Sequence, residues 1–243
     1  MPYREIFFEE NQPFHLISRA VEERKLFERE EDCYRFIFQI YAANIGKPAQ
    51  KIWKKDIIKV AKSLLNGEEV SSGFILKEHL PLVNILDFSL VINHYHLYLV
   101  PSAENSVPIF MKKLNGGFAK YFNLKYGRKG FLFGSRYKSI PVTGEFQSDA
   151  VSRYVSIINP LDIYQLGWRE EGLKNPNMAL EFLENYQFSS FLDKRGKRNS
   201  KIIAPKEILE RYCSTSNIGK EEYLKFIEDF LKEKSFSQPI FLE

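Results

Sequence analysis

Cysteine is scarce in this 243-residue chain: Cys33 and Cys213 stand far apart and lack CxxC spacing. That excludes a disulfide framework or a cysteine zinc site and predicts buried thiols in a reducing compartment. No apolar run approaches the roughly 20 residues that a membrane helix needs. Residues 1–11 carry Arg4 and three glutamates, which is not the pattern of a secretory leader. There is no Gly-rich phosphate loop of the GxxxxGKS or GxxxxGKT kind, no internal repeat and no low-complexity tract. The remaining composition, 44% hydrophobic and 27% charged, is that of a globular, cytoplasmic protein. Its length suits one core with a small appendage.

The most informative absence is that of acid. Residues 105–144 contain no Asp or Glu, yet hold eight basic residues: Lys112, Lys113, Lys120, Lys125, Arg128, Lys129, Arg136 and Lys138. Removing those eight from the chain's 35 leaves 27 basic against 31 acidic residues elsewhere. A basic island on an acidic body is an electrostatic footprint for a polyanion, whereas a merely solvated face usually mixes both signs. The 21 Phe and 13 Tyr mostly serve a core, but stacking on bases is a second use for them.

Hydrophobic patterning predicts a strand over residues 14–21 and an amphipathic helix over 28–45, with acids in its first turn. Residues 46–80 are polar and Lys-rich and read as an insertion packed outside the core. Two strands, 84–91 and 94–100, are separated by little more than Ile92-Asn93, hence a hairpin. A helix over 109–126 contains Gly116-Gly117, which permits another backbone to approach closely. A fourth strand is expected over 131–142 and a helix over 146–158, stopped by Asn159-Pro160. This order, β-α-β-β-α-β-α, is the split βαβ pattern of a ferredoxin-like antiparallel sheet, an α+β fold with helices on one or both faces. Helices over 178–186, 205–212 and 220–234 surround a polar linker at 193–201. Residues 1–160 are therefore assigned to the main domain and 161–243 to a helical extension.

Of the four histidines, His94 and His96 lie two apart on a predicted strand, in NHYHLYLV. Alternation puts both on one face and Tyr95 on the other. Two imidazoles on a rigid surface make a half-site for a divalent metal, although an accidental HxH on a half-exposed strand is equally compatible with the spacing. His15 and His79 have no partner in sequence and read as core histidines. Tyr154, in SRYVSIINP, follows the basic segment on a helix. Tyrosine becomes a nucleophile when a metal polarises a phosphate and the surroundings favour phenolate; by itself Tyr154 is an ordinary aromatic.

The runs FSLVINHYHLYLVP, KLNGGFAKYFNLKYGRKGFLFGSRYKSIPV and SRYVSIINPL, with FHLISRAVEERKLFEREED before them, together resemble the HUH superfamily of single-tyrosine transposases. The resemblance is to its REP-associated, insertion-sequence-200-like branch, and it spans residues 14–160. It implies a metal-dependent single-stranded DNA endonuclease and strand transferase, using Mg²⁺ or Mn²⁺ and forming a 5′-phosphotyrosine on hairpin-flanked DNA. By position His94 and His96 become metal ligands and Tyr154 the nucleophile. Lys112, Lys113, Lys120, Arg128, Lys129 and Arg136 become phosphate contacts.

Two features depart from the family. The Pro usual before Asn-His is replaced by Ile92. The polar ligand expected four residues after the tyrosine falls on Ile158, while Asn159 is five residues on, about 140° away on a regular helix. A local bulge at Asn159-Pro160 would restore Asn159 as the third ligand. Two other readings stay open: a domesticated DNA-hairpin-binding protein without turnover, and a metal-dependent phosphodiesterase that uses water and ignores Tyr154. Monomer or homodimer is also open, and no membrane partner is expected.

Overall fold

The computed structural model describes residues 7–49, 54–134, 136–213 and 219–233. Residues 1–6, part of the leader argument, and Lys234, the expected end of the last helix, lie outside the described residues.

Strands β1 (Phe14–Arg19), β4 (Val83–Val91), β5 (His94–Pro101) and β6 (Lys138–Pro141) form an antiparallel sheet in the order β4-β5-β1-β6. That is the split βαβ arrangement expected. Helices α1 (Glu30–Ile45) and α3 (Ser106–Lys125) cover one face, burying Phe36, Phe118 and Leu114 against Leu16, Phe88, Tyr95 and Leu97. Glu30, Glu31 and Asp32 occupy the first turn of α1, where they offset the helix dipole. Lys125 of α3 closes on Asp32 at 2.6 Å and Glu31 at 3.4 Å, tying the two helices together.

The insertion is not outside the core. Its short strands β2 (Gly46–Pro48) and β3 (Ile75–Lys77) pair, and helix α2 (Lys54–Leu65) lays Val60, Ala61, Leu64 and Leu65 into the same apolar cluster as α1. Apolar residues on both sides of α1, such as Tyr34, Ile37, Phe38 and Ile40, need cover from the sheet and from α2 alike. Gly46 is required where β3 crosses: a Cβ there would collide with the Leu76 carbonyl. Gly117 does admit a close neighbour, but it is the Gln39 side chain of α1 rather than a backbone.

The fourth strand is shorter than expected. Residues 131–134 run past the end of β1 as an irregular segment, held by one bridge from Ala20 to Phe133, and only Lys138–Pro141 pairs regularly. The following helix does not stop at Asn159-Pro160. Helix α4 (Gly144–Arg153) passes through a π turn (Tyr154–Ile158) into α5 (Asn159–Tyr164). Pro160 falls at the start of the new helical register, where its missing N–H is tolerated.

The second face of the sheet is covered by this helix and by α6 (Trp168–Glu171), α7 (Pro176–Asn185), α8 (Phe191–Lys194), α9 (Lys206–Tyr212) and α10 (Lys220–Glu233). Leu86, Tyr98, Val151, Tyr154, Ile158, Trp168, Leu183 and Phe191 share that second core. A β-bulge between Ile85 and Asp87 inserts Leu86 into β4. Residues 188–190 hydrogen-bond along β4 through Leu90 N to Phe188 O and Ser190 N to Phe88 O, covering an otherwise open edge.

The expected polar linker at 193–201 is instead packed into this layer. Lys194 is buried and pairs with Asp87 at 3.1 Å, and Arg198 pairs with Asp193 at 2.6 Å. Both cysteines are free and buried. Among the described residues no helix is long and apolar enough to cross a membrane.

Candidate active site

Alternation along β5 sends Tyr95, Leu97 and Leu99 into the first core, leaving His94, His96 and Tyr98 on the second face. The neighbouring strand does the same: Phe14 and Leu16 point to the first core, and His15 lies across from Tyr98 and diagonal to His96. His15 Nε2 and His96 Nδ1 are 2.9 Å apart, and the two rings are stacked at 5.1 Å. The Tyr154 ring meets both edge-on, with centroids 5.9 Å from each. His15 is therefore buried, as read from sequence, but it belongs to this cluster. His79 is an exposed residue, bonded to the Leu80 carbonyl at 2.8 Å and to Lys113 at 3.1 Å.

The π turn settles where Asn159 stands. Its N–H donates to the Tyr154 carbonyl, a five-residue step, so Asn159 lies about one turn beyond Tyr154 rather than about 140° into the next. Arg169 of α6 joins the two. It donates from Nη1 to Tyr154 Oη at 3.2 Å and from Nη2 to Asn159 Oδ1 at 3.1 Å, while Asp162 holds the same guanidinium at 2.5 Å. Nothing in the sequence pattern flagged Arg169, which lies beyond the helix that was expected to end the domain.

These groups are almost sealed from solvent: His15, His96 and Asn159 are fully buried and Tyr154 is 1% exposed. Burial lowers the His15 pKa to about 3. It lowers His94 to about 3, aided by the charges of Arg19 and Arg169, and carries His96 well below its usual value. All three rings are thus neutral, the form that binds metal.

The donor set fits a divalent ion. His94 Nδ1 faces Asn93 Oδ1 at 2.6 Å; an amide oxygen only accepts, so the ring proton sits on Nδ1 and the Nε2 lone pair is bare. His94 Nε2 and His96 Nε2 are buried without a hydrogen-bond partner, whereas Asn159 Oδ1, the amide atom able to ligate a metal, accepts from Arg169. If His96 donates its Nδ1 proton to His15, its Nε2 is bare as well, and His15 acts as the outer partner that fixes the tautomer. Among the described residues no three His, Cys, Asp or Glu side chains converge as a metal cage. The residues that would hold an ion are the two imidazoles, joined by the Asn159 carbonyl once Arg169 releases it.

The basic residues do not gather here. Lys112, Lys113 and Lys120 ride on α3, in the layer on the other side of the sheet from the histidines. Arg128, Lys129 and Arg136 lie in the segment between α3 and β6. Lys112, Lys120, Lys129 and Arg136 are exposed. Arg128 is braced by Asn123 at 2.7 Å.

Residues 51–157 match the family model described as Transposase IS200 like. This stretch is similar to IS200-like transposases. The transposase-like segment contains His94, His96 and Tyr154, and leaves His15, Asn159 and Arg169 outside it. A solved structure of a REP-associated tyrosine transposase bound to a REP hairpin aligns over 81% of this chain and 87% of its own, with 12% identity and a TM-score of 0.44. No curated protein matches the chain.

Proposed function

We propose that the protein is a metal-dependent, single-stranded DNA endonuclease and strand transferase of transposase type, acting on hairpin-flanked DNA with Tyr154 as nucleophile. The observation that carries this reading is the convergence on one sheet face of His94, His96, Tyr154 and Asn159, the last drawn in by the π turn. A bound Mg²⁺ or Mn²⁺ would polarise the scissile phosphate and offset its charge. His94, His96 and Asn159 would hold the ion, with His15 orienting His96.

Tyr154 Oη attacks the phosphorus, and the bond to the upstream 3′ oxygen breaks. That oxygen leaves as a 3′-hydroxyl after taking up the equivalent of the phenolic proton, and the downstream strand stays on the enzyme as a 5′-phosphotyrosine. Attack by a 3′-hydroxyl reverses the step and rejoins the strand. Arg169 donates to the attacking oxygen and steadies charge there. Because Tyr154 is buried under Arg169, phosphate entry requires this contact to open. In this reading residues 1–160 form the catalytic domain and 161–243 an extension that contributes Arg169 to the site.

The test is an oligonucleotide with a hairpin and single-stranded flanks, labelled at its 3′ end and incubated with Mg²⁺ or Mn²⁺. A label that migrates with denatured protein supports the proposal. Binding alone would assign a hairpin-binding protein without turnover, and cleavage without adduct a water-using phosphodiesterase.

A further inference from the structure

Phe131 is 86% exposed, while its neighbour Leu132 is buried at 1%. The chain on both sides of Phe131 is pinned. Asn123 Nδ2 donates to the Gly130 carbonyl at 2.8 Å, Val21 N donates to the Leu132 carbonyl at 3.0 Å, and Gly134 N donates to Arg19 O at 3.1 Å. Gly130 takes φ +88°, a left-handed turn that throws the next residue outward. A large apolar ring is thus held in water by a braced loop, at the cost of leaving its surface hydrated.

The surroundings indicate what it meets. Phe131 lies in the acid-free stretch, separated from Arg128 and Lys129 by Gly130 alone. Its loop runs beside Arg19, the register partner of His94, so it stands at the end of the sheet where the histidine pair begins. An exposed ring two residues after a pair of cations suits the π face of a base and a neighbouring phosphate.

We propose that Phe131 is a stacking platform for an unpaired base of bound DNA, with Arg128 and Lys129 taking the adjoining phosphates. This rests on the nucleic-acid reading above and adds to it the subsite that holds the single-stranded flank.

The experiment uses the full chain and a DNA hairpin carrying 2-aminopurine at successive positions of its single-stranded flank. Stacking quenches the fluorescence at one or two positions. Phe131→Ala should abolish that quenching and weaken binding about tenfold, an order of magnitude typical of one lost base stack. Its salt dependence should be unchanged, because the phosphate contacts remain. Phe131→Trp should keep both quenching and affinity. Equal binding and equal quenching in the Ala variant overturn the proposal while leaving DNA binding intact. No DNA binding by the wild type removes the nucleic-acid reading and this subsite with it. Self-association abolished by Phe131→Ala, with DNA binding untouched, assigns the ring to a protein contact and also overturns it.

Discussion

Acid should unfold this protein earlier than its carboxylates require, because its site is built from histidines that burial keeps neutral. In the unfolded chain each histidine titrates near pH 6.5. In the folded chain His15 and His94 are lowered to about 3, and His96 lies well below its usual value. A lowered folded pKa means that the unfolded state binds more protons, so the stability they allow is complete above about pH 6.5 and falls as pH drops toward 3. At pH 5.5 each histidine costs about 1.4 kcal/mol, or about 4 kcal/mol for the three. Asp87 opposes this: burial raises its pKa despite Lys194, so the folded state can take up at most one extra proton there. The net expectation is a loss of up to about 4 kcal/mol between pH 7.5 and 5.5, reduced by whatever Asp87 takes up, against the 5–15 kcal/mol typical of a domain. Urea denaturation at pH 7.5, 6.5 and 5.5 measures it, and His15→Gln should reduce the slope by about one proton. A stability that is flat or rising over that range would mean the histidines are not sealed as described.

Tyr154→Phe removes only the hydroxyl that Arg169 contacts, so stability should fall by about 1 kcal/mol while adduct and cleavage vanish and hairpin binding persists; residual nicking would exclude Tyr154 as nucleophile. Lys194→Met removes the cation that offsets the buried Asp87 carboxyl, leaving Ser152 and Ser190 donating to it at 2.7 Å, and should cost about 3–5 kcal/mol by urea melt. Adding Asp87→Asn should recover most of that loss, and failure to recover would show that the charge is not the cause. Replacing Lys112, Lys120 and Lys129 with Gln should flatten the salt dependence of single-strand binding, by up to about 0.7 in log–log slope per lost contact. Lys125→Gln, whose charge is taken by Asp32 and Glu31, should lower stability and leave that slope unchanged.

The sheet was legible because it obeys local rules. Alternation in FHLISR and HYHLYLV marks strands, and a two-residue gap between apolar runs marks a hairpin. The placement of His15 could have been read from the same alternation, since Phe14 and Leu16 claim the opposite face. It was missed because pairing β1 with β5 is a long-range event with no sequence signature of its own. The insertion misled because a polar, Lys-rich helix can still present one apolar stripe, and Val60, Ala61, Leu64 and Leu65 are that stripe. The shortened β6 goes with the left-handed turn at Gly130, and regular pairing begins only at Lys138.

Asn159 shows why motif spacing and geometry can part. Counted along a regular helix, five residues put it on the wrong side of Tyr154; the wider π turn, closed by the Asn159 N–H on the Tyr154 carbonyl, absorbs the extra residue and brings the side chain back toward the site face. Pro160 makes that register tenable, because the residue that would next donate an N–H has none to leave unsatisfied. Arg169 was beyond reach for a different reason: its position depends on how the chain after Tyr164 folds back, held by Trp168 Nε1 and the Arg169 guanidinium both binding Asp162. A site completed by such a fold-back couples the helical extension to the nucleophile, since loosening Asp162 frees the guanidinium that lies on Tyr154 Oη.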